Sequence, residues 1–225
     1  MIYLLDKPAG WTSFDLVKKV RGITGDKKVG HAGTLDPLAT GLMIVGTGPD
    51  TKTLTNIIAH KKSYRAEFLL GRSTTTADQE GEVIAESCHC AQELDPELIK
   101  QSVKSLIGIH QLPVPLYSAV KVNGQPLYWY ARNNVEPPEL PVRDMEVLSV
   151  DLISVDSHEL GQLVTLELLV ASGVYIRSIA EYVGEILKVP SMMWELRRDS
   201  IEDFKLVDAI TLSELEQQVH SDSRE

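Results

Sequence analysis

The chain has 225 residues, 43 % of them hydrophobic, and a formal net charge of −10, enough apolar material for a substantial core arranged as one or two domains. No apolar run approaches the roughly 18–20 residues that a bilayer-spanning helix needs, and MIYLLDKPAG lacks a basic segment followed by a long apolar stretch, so a cytoplasmic protein with neither membrane span nor leader is expected. Overall acidity speaks against a nucleic acid held by bulk charge, but residues 1–72 carry eleven Lys and Arg against six Asp and Glu while residues 73–225 carry eleven against twenty-six. The basic half is either a solvated surface or a binding face for a polyanion.

In chain order, IYLL (2–5) is a short apolar strand, and TSFDLVKKVRGITG is a helix started by a capping box of Thr12 and Asp15 and stopped at Gly25. A glycine-rich loop, HAGTLDPLATG (31–41), follows. LMIVGTG (42–48) then reads as a buried strand, TKTLTNIIAH (51–60) as an amphipathic helix, and SYRAEFLLG (63–71) and EVIAE (82–86) as strands around a polar turn. Cys88 and Cys90 in SCHCAQ stand too close for an ordinary bridge and lack a second pair of zinc ligands, so they read as loop thiols in a reducing compartment. Asp95-Pro96 caps the helix LIKQSVKSLIG, and Asn123-Gly124 closes a hairpin after YSAVKV. VEPPELPVR (135–143) has three prolines and must be extended. MEVLSVDLISV and LVTLELLVA are strand-like, and YIRSIAEYVGEILK and TLSELEQQV are helical, with MMWELRRDSI between them. Strands and helices mix without a regular βαβ alternation, which predicts an α+β fold with a largely antiparallel sheet.

Two residues stand out. Asp36 is a lone carboxylate between Leu35 and Pro37 in the glycine-rich loop. Asp before Pro is an N-cap pattern, and on spacing alone a cap is the better reading; against it stand the flanking glycines, which let backbone approach a ligand, and the lack of a helix-forming run before Gly41. A phosphate cradle fails, because neither this loop nor GTGPDTK ends in Gly-Lys-Ser/Thr. Arg177 lies off the apolar stripe of its helix, in the first turn, where a cation opposes the helix dipole. It is either an exposed arginine or one paired with a carboxylate.

Six blocks carry a resemblance: LDKPAGWTS at 5–13, GHAGTLDPLATGLM at 30–43, SYRAEFLLG at 63–71, PLYSAVKVNGQPLYWYAR at 115–132, GVYIRSIAEYVG at 173–184 and LRR at 196–198. In order and spacing they resemble the bacterial tRNA pseudouridine synthase B (TruB) family, over residues 1 to 204. The resemblance implies the pseudouridine synthase fold, a mixed, largely antiparallel sheet flanked by helices and loops. It also implies isomerisation of the T-loop uridine of tRNA (uridine-55) by a catalytic aspartate, with base flipping and no cofactor or metal. Asp36 then takes the aspartate's part, whether by attacking the sugar, adding to the base or assisting proton loss. The resemblance makes Arg177 its ionic partner and Tyr64 the tyrosine that stacks on the target base and removes a proton late in the reaction. On residue chemistry alone Tyr64 is a half-buried strand aromatic. Lys7 and Tyr175 match neighbours of the site; Lys7 either supports the loop, meets a phosphate or is simply exposed. His31 matches a histidine set against the RNA loop.

Lys18, Lys19, Arg21, Lys27, Lys28, Lys61, Lys62, Arg65 and Arg72 are the expected phosphate contacts. The chain departs from the family in Thr75, where an acidic residue is expected with Asp78 remaining, and in Glu181, where the family has Asp. The expected organisation is one catalytic domain over 1–210 and a short C-terminal helix and tail over 211–225 without a PUA-like RNA-binding module. The chain is expected to act as a monomer on the tRNA T-stem-loop. Two alternatives stand: a protein that binds or folds tRNA without turnover, and a synthase directed to another RNA.

Overall fold

Thr12 and Gly25 bound the first helix as their chemistry requires. The Thr12 hydroxyl accepts from the Asp15 amide, the Asp15 carboxylate accepts in return from the Thr12 amide, and Gly25 ends the helix at φ 71°. The computed structural model describes residues 1–222. The chain forms two compact units, Met1–Arg65 with the chain from Leu196 onward, and Ala66–Glu195.

The first unit opens with β1 (Ile2–Lys7), α1 (Ser13–Thr24), β2 (Val29–Ala32), β3 (Thr40–Thr47), a 3-10 turn (Gly48–Lys52) and α2 (Leu54–Ile58), after which β4 (Lys62–Leu70) runs on into the second unit. β3 is flanked antiparallel by β1 (Leu5↔Met43) and β2 (His31↔Val45), and its start also meets the returning chain in parallel, Arg197↔Thr40 and Arg198↔Gly41. Being covered on both faces, β3 is apolar almost throughout, and seven of its eight residues are buried. Leu42 and Ile44 pack with Ala32, Leu54, Ile57 and Ile201 as a core. The helix expected over 51–60 is shorter. Thr51 and Thr53 turn their hydroxyls back onto the Gly48 and Asp50 carbonyls, which favours the tighter 3-10 turn, and only Leu54–Ile58 is α-helical.

The second unit continues with β5 (Arg72–Thr74), β6 (Val83–Glu86), α3 (Cys88–Gln92), α4 (Pro96–Lys104), β7 (Gly108–Pro113), β8 (Lys121–Val122), β9 (Gln125–Pro126), α5 (Leu127–Arg132), β10 (Val142–His158), β11 (Gly161–Val170), α6 (Ile176–Leu187) and β12 (Ser191–Ile201), which carries the chain back to the first unit. β10 pairs antiparallel with β11 and, along its other edge, with β7. Asp95 caps α4 by accepting from the Glu97 amide at 2.9 Å, and Asn123 (φ 50°) and Gly124 (φ 82°) close the β8–β9 turn. The proline-rich stretch is free of regular structure from 135 to 141. α6 turns Ile176, Ile179, Ala180, Val183 and Leu187 inward.

The first unit then closes with β13 (Phe204–Lys205), a 3-10 turn (Leu206–Asp208) and α7 (Leu212–Asp222), which begins at a reciprocal pair of bonds between Thr211 and Glu214. Lys19 of α1 meets Glu216 of α7 at 3.2 Å. The fold is α+β with a mostly antiparallel, mixed sheet, as the sequence pattern predicts. Among the described residues no helix is long and apolar enough to cross a membrane.

Candidate active site

Asp36 sits on the seven-residue connection 33–39 between β2 and β3. Surface loops usually leave their backbone groups to water; this one is bonded to protein through the backbone of Gly33, Leu35, Asp36, Pro37 and Ala39. Ser13, the first residue of α1, both donates to the Leu35 carbonyl at 3.0 Å and accepts from the Leu35 amide at 2.9 Å. The Pro37 carbonyl accepts from Lys7 Nζ at 3.1 Å and from the Gly10 amide at 2.9 Å. The Asp36 carbonyl accepts from the Ala39 amide at 3.1 Å, and the Gly33 carbonyl from Arg198 Nη2 at 3.1 Å. Leu35 and Ala39 are buried while Asp36 itself is half-buried, so the loop is a fixed mount with its carboxylate at the boundary of core and solvent. That arrangement is more than a cap requires, and no helix follows Pro37.

Lys7 is fully buried. Its ammonium donates to the carbonyls of Pro8 and Pro37, and no part of it faces solvent, unlike an exposed lysine.

Two further cations lie behind the loop. Arg198 is fully buried and Lys62 nearly so. A Cβ placed on Gly33 would lie 3.5 Å from both Arg198 Nη1 and Lys62 Cε. Lys62 donates to the carbonyls of Ile58 (2.9 Å) and His60 (2.7 Å), and burial, followed by the charge of Arg198, pushes its pKa down to about 8. Its place among the expected phosphate contacts is therefore corrected: β4 begins at Lys62 with that side chain turned inward. His31 on β2 is half-buried, with Nδ1 buried and without a hydrogen-bond partner among the described residues. Burial and then the charge of Arg198 push its pKa down, which favours the neutral imidazole. Tyr64 is buried on β4, with only 7 % of its surface exposed.

Tyr175 and Arg177 belong to the second unit. Tyr175 is half-buried at the N-cap of α6. Arg177 is buried, donating from Nη1 to the Thr76 carbonyl and from Nη2 to the Tyr117 carbonyl, both at 2.9 Å, with Nε 3.7 Å from the Asp78 carboxylate. Asp78 is thus a carboxylate that helps to offset a cation at the wrong end of a helix dipole. Asp78 is itself held by the Glu80 amide at 3.0 Å and the Thr76 hydroxyl. One turn along α6, burial and then Glu185 push the pKa of Glu181 up, with Arg177 pulling it the other way.

Lys18, Lys61 and Arg65 are exposed, and Lys61 has Glu202 at 3.5 Å. Lys18 and Lys19 line a groove of about 670 Å³ with Trp11, Ile23 and Glu216. Among the described residues no group of three or more His, Cys, Asp or Glu could hold a metal ion. Sequence reasoning overlooked Ser13 and Arg198. Ser13 was detectable as the polar member of the inward stripe it forms with Leu16, Val17 and Val20. Nothing in the local pattern of Arg198 marks it as buried.

Residues 21–176 match the family described as TruB family pseudouridylate synthase (N terminal domain). The chain is 41 % identical over 218 residues to tRNA pseudouridine synthase B of Lactobacillus delbrueckii subsp. bulgaricus, covering 95 % of this chain and 72 % of the relative. It is 39 % identical over 222 residues to the protein of the same name from Bacillus subtilis, covering 98 % and 71 %. Among solved structures it resembles a chain in the crystal structure of a Cbf5-Nop10-Gar1 complex, with TM-score 0.73 at 27 % identity, covering 96 % of this chain and 53 % of that one. A chain in the structure of an H/ACA RNP bound to a substrate RNA containing 2'-deoxyuridine is alike in fold, with TM-score 0.73 at 23 % identity and coverage of 99 % and 54 %. This chain therefore spans about half the length of those solved chains.

Proposed function

We propose, for a chain that belongs to the TruB family of pseudouridylate synthases, that the substrate is tRNA and that the T-loop uridine, uridine-55, is isomerised to pseudouridine with Asp36 as the catalytic carboxylate. The N1–C1′ bond of the uridine breaks, the uracil turns, and a C5–C1′ bond forms. The proton lost from C5 balances the one gained at N1, so no cofactor is needed. Relatives of about 40 % identity named for this activity on tRNA support the substrate class.

The observation that carries the assignment of Asp36 is the mounting of its loop. A carboxylate required only as a cap needs one or two backbone N–H groups, whereas here Ser13, Lys7, Gly10 and Arg198 all hold the backbone and leave the side chain at the boundary with solvent. This suits a group that must meet a sugar or base carbon in one geometry. The uridine has to leave its stack to reach such a group, so base flipping belongs to the same reading. Tyr64 is assigned to the flipped base, and Arg177 to the same reaction as a cation that favours the ionised aspartate. Tyr175, His31, Lys18, Lys19, Lys61 and Arg65 are assigned to RNA, in a monomer acting in the cytoplasm on the T-stem-loop.

Asp36→Asn tests this. The amide keeps the shape of the side chain but is neither anion nor nucleophile, so pseudouridine formation in tRNA should fall by about 10³-fold or more while tRNA binding persists. Turnover by the variant near the parent rate, with deamidation excluded by mass spectrometry, overturns the assignment and leaves a protein that binds or folds tRNA. If modification maps outside the T-loop, the RNA target is different.

A further inference from the structure

We propose that Arg198 is a positioning residue for Asp36, the tie that fixes both feet of the loop. The inference rests on the reading of Asp36 given above. Its guanidinium donates from Nη2 to the Gly33 carbonyl at the loop's entry (3.1 Å) and from Nε to the Leu42 carbonyl just beyond its exit (2.8 Å), with Nη2 also 3.8 Å from Met43 Sδ. The backbone of the same residue pairs in parallel with Gly41, and a Cβ at Gly41 would run into the Arg198 carbonyl and amide. Gly41 (φ 99°) and Gly33 (φ 82°) both occupy the left-handed region, so each foot has a conformation that the tie preserves. The preceding residue reinforces the exit: Arg197 Nη1 donates to Thr40 Oγ1 at 3.2 Å and Nη2 to Asp6 at 2.8 Å.

The electrostatics favour a positional role over a merely structural one. Arg198 is fully buried, its acceptors are two carbonyls and a thioether, and Nη1 has no partner among the described residues. Lys62, also buried, comes as close as Arg198 to the position a Cβ on Gly33 would take, and it donates to carbonyls. Burying a charge against neutral acceptors is costly, and an apolar side chain of similar volume would serve a core better. A planar fork can do what an apolar residue or a lysine cannot, which is to hold in fixed directions two carbonyls that lie nine positions apart in the chain. The same buried charge biases the loop in favour of an anion.

The test compares the parent, Arg198→Lys, Arg198→Gln and Asp36→Asn in single-turnover reactions on a T-stem-loop RNA carrying 5-tritiated uridine, with enzyme saturating. The rate constant under these conditions belongs to active molecules and does not depend on the folded fraction. Arg198→Lys keeps the charge but not the fork; it should lower the rate constant by about 100-fold, the penalty for displacing a reacting group by roughly 1 Å, with RNA affinity within about threefold of the parent. Arg198→Gln should lose at least as much. A rate constant within about threefold of the parent for Arg198→Lys, or a loss confined to RNA affinity, overturns the proposal. An inactive Asp36→Asn beside a fully active Arg198→Lys sinks this inference alone, and an active Asp36→Asn sinks the catalytic reading with it. Should neither Arg198 variant fold, hydrogen exchange of the parent decides. The Leu35 and Ala39 amides should exchange as slowly as the Ile44 amide of β3, and exchange about 100-fold faster would show a loop that opens locally and is not tied.

Discussion

The loop around Asp36 and the first turn of α6 around Arg177 each place a full charge where water is scarce, but they hold it by different means. Around Asp36 the supporting bonds go to the backbone on either side of it, from Ser13, Lys7, Gly10 and Arg198, and the carboxylate stays half-buried. Around Arg177 the charged group itself is bonded, to two carbonyls and toward Asp78, and is 4 % exposed. The first arrangement fixes the direction of a side chain through its main chain, as the proposed role of Asp36 requires. A group that sets a field can be sealed in and satisfied directly.

The contrast predicts that activity and stability separate. The largest expected effect is the pairing of two variants: Asp36→Asn, at a half-buried position, should abolish turnover at a smaller stability cost than Arg177→Met, which leaves Asp78 as a buried unpaired carboxylate and should lose about 3–5 kcal/mol of stability as well as activity. Denaturant unfolding of both variants checks this, and equal stability losses would erase the distinction. In Arg177→Met the activity that remains should need higher pH, because removing a cation raises the pKa of any carboxylate it had favoured; an unchanged pH-rate profile would confine Arg177 to Asp78.

A smaller effect is expected at Ser13, where the side chain satisfies both backbone groups of Leu35. Ser13→Ala should cost about 1–3 kcal/mol, the penalty for stranding buried polar groups, and should lower the turnover rate more than the affinity for RNA. A change in affinity alone would mean that Ser13 does not aim the loop.

Lys62 gives a pH signature. Its folded pKa of about 8 lies below the ordinary 10.5, so the folded protein binds the proton more weakly than the unfolded chain. Between those values the unfolded state carries more protons, and this group makes stability rise as pH rises from 8 to 10.5. Below pH 8 the charged form is a constant burden. Lys62→Met should therefore raise the melting temperature at pH 7 and flatten its increase toward pH 10; a parallel pair of curves would show that Lys62 is not desolvated. The smallest effect belongs to the exposed Arg65, where Arg65→Ala should weaken RNA binding a few-fold and reduce the salt slope by about 0.7–0.9 if it touches one phosphate. An unchanged slope removes it from the interface.

Local chemistry determined much of the first unit's outline and of the second's hairpins. The capping box and stop of α1, the Asp95-Pro96 start of α4, the Asn123-Gly124 turn and the amphipathic α6 were legible because each depends on residues within a few positions of one another. So was Asp36 as an anomaly, a lone charge among glycines and apolar residues. The two strands that grip its loop were not. VGHA is too short to show a period, and MMWELRRDSI sets two arginines in a segment that becomes β12 by pairing with strands distant in the chain, among them β3 at Thr40 and Gly41, more than 150 positions earlier. The inward turn of Lys7, Lys62 and Arg198 was equally out of reach. A long cationic side chain is exposed by default, and only a pocket of free carbonyls assembled by distant strands makes its burial tolerable. The sequence alone therefore determined which carboxylate to suspect, through residue types and neighbours, and the tertiary structure alone decided what holds it, because the donors that aim the loop come from α1, β1 and β12 and meet only once the chain has closed.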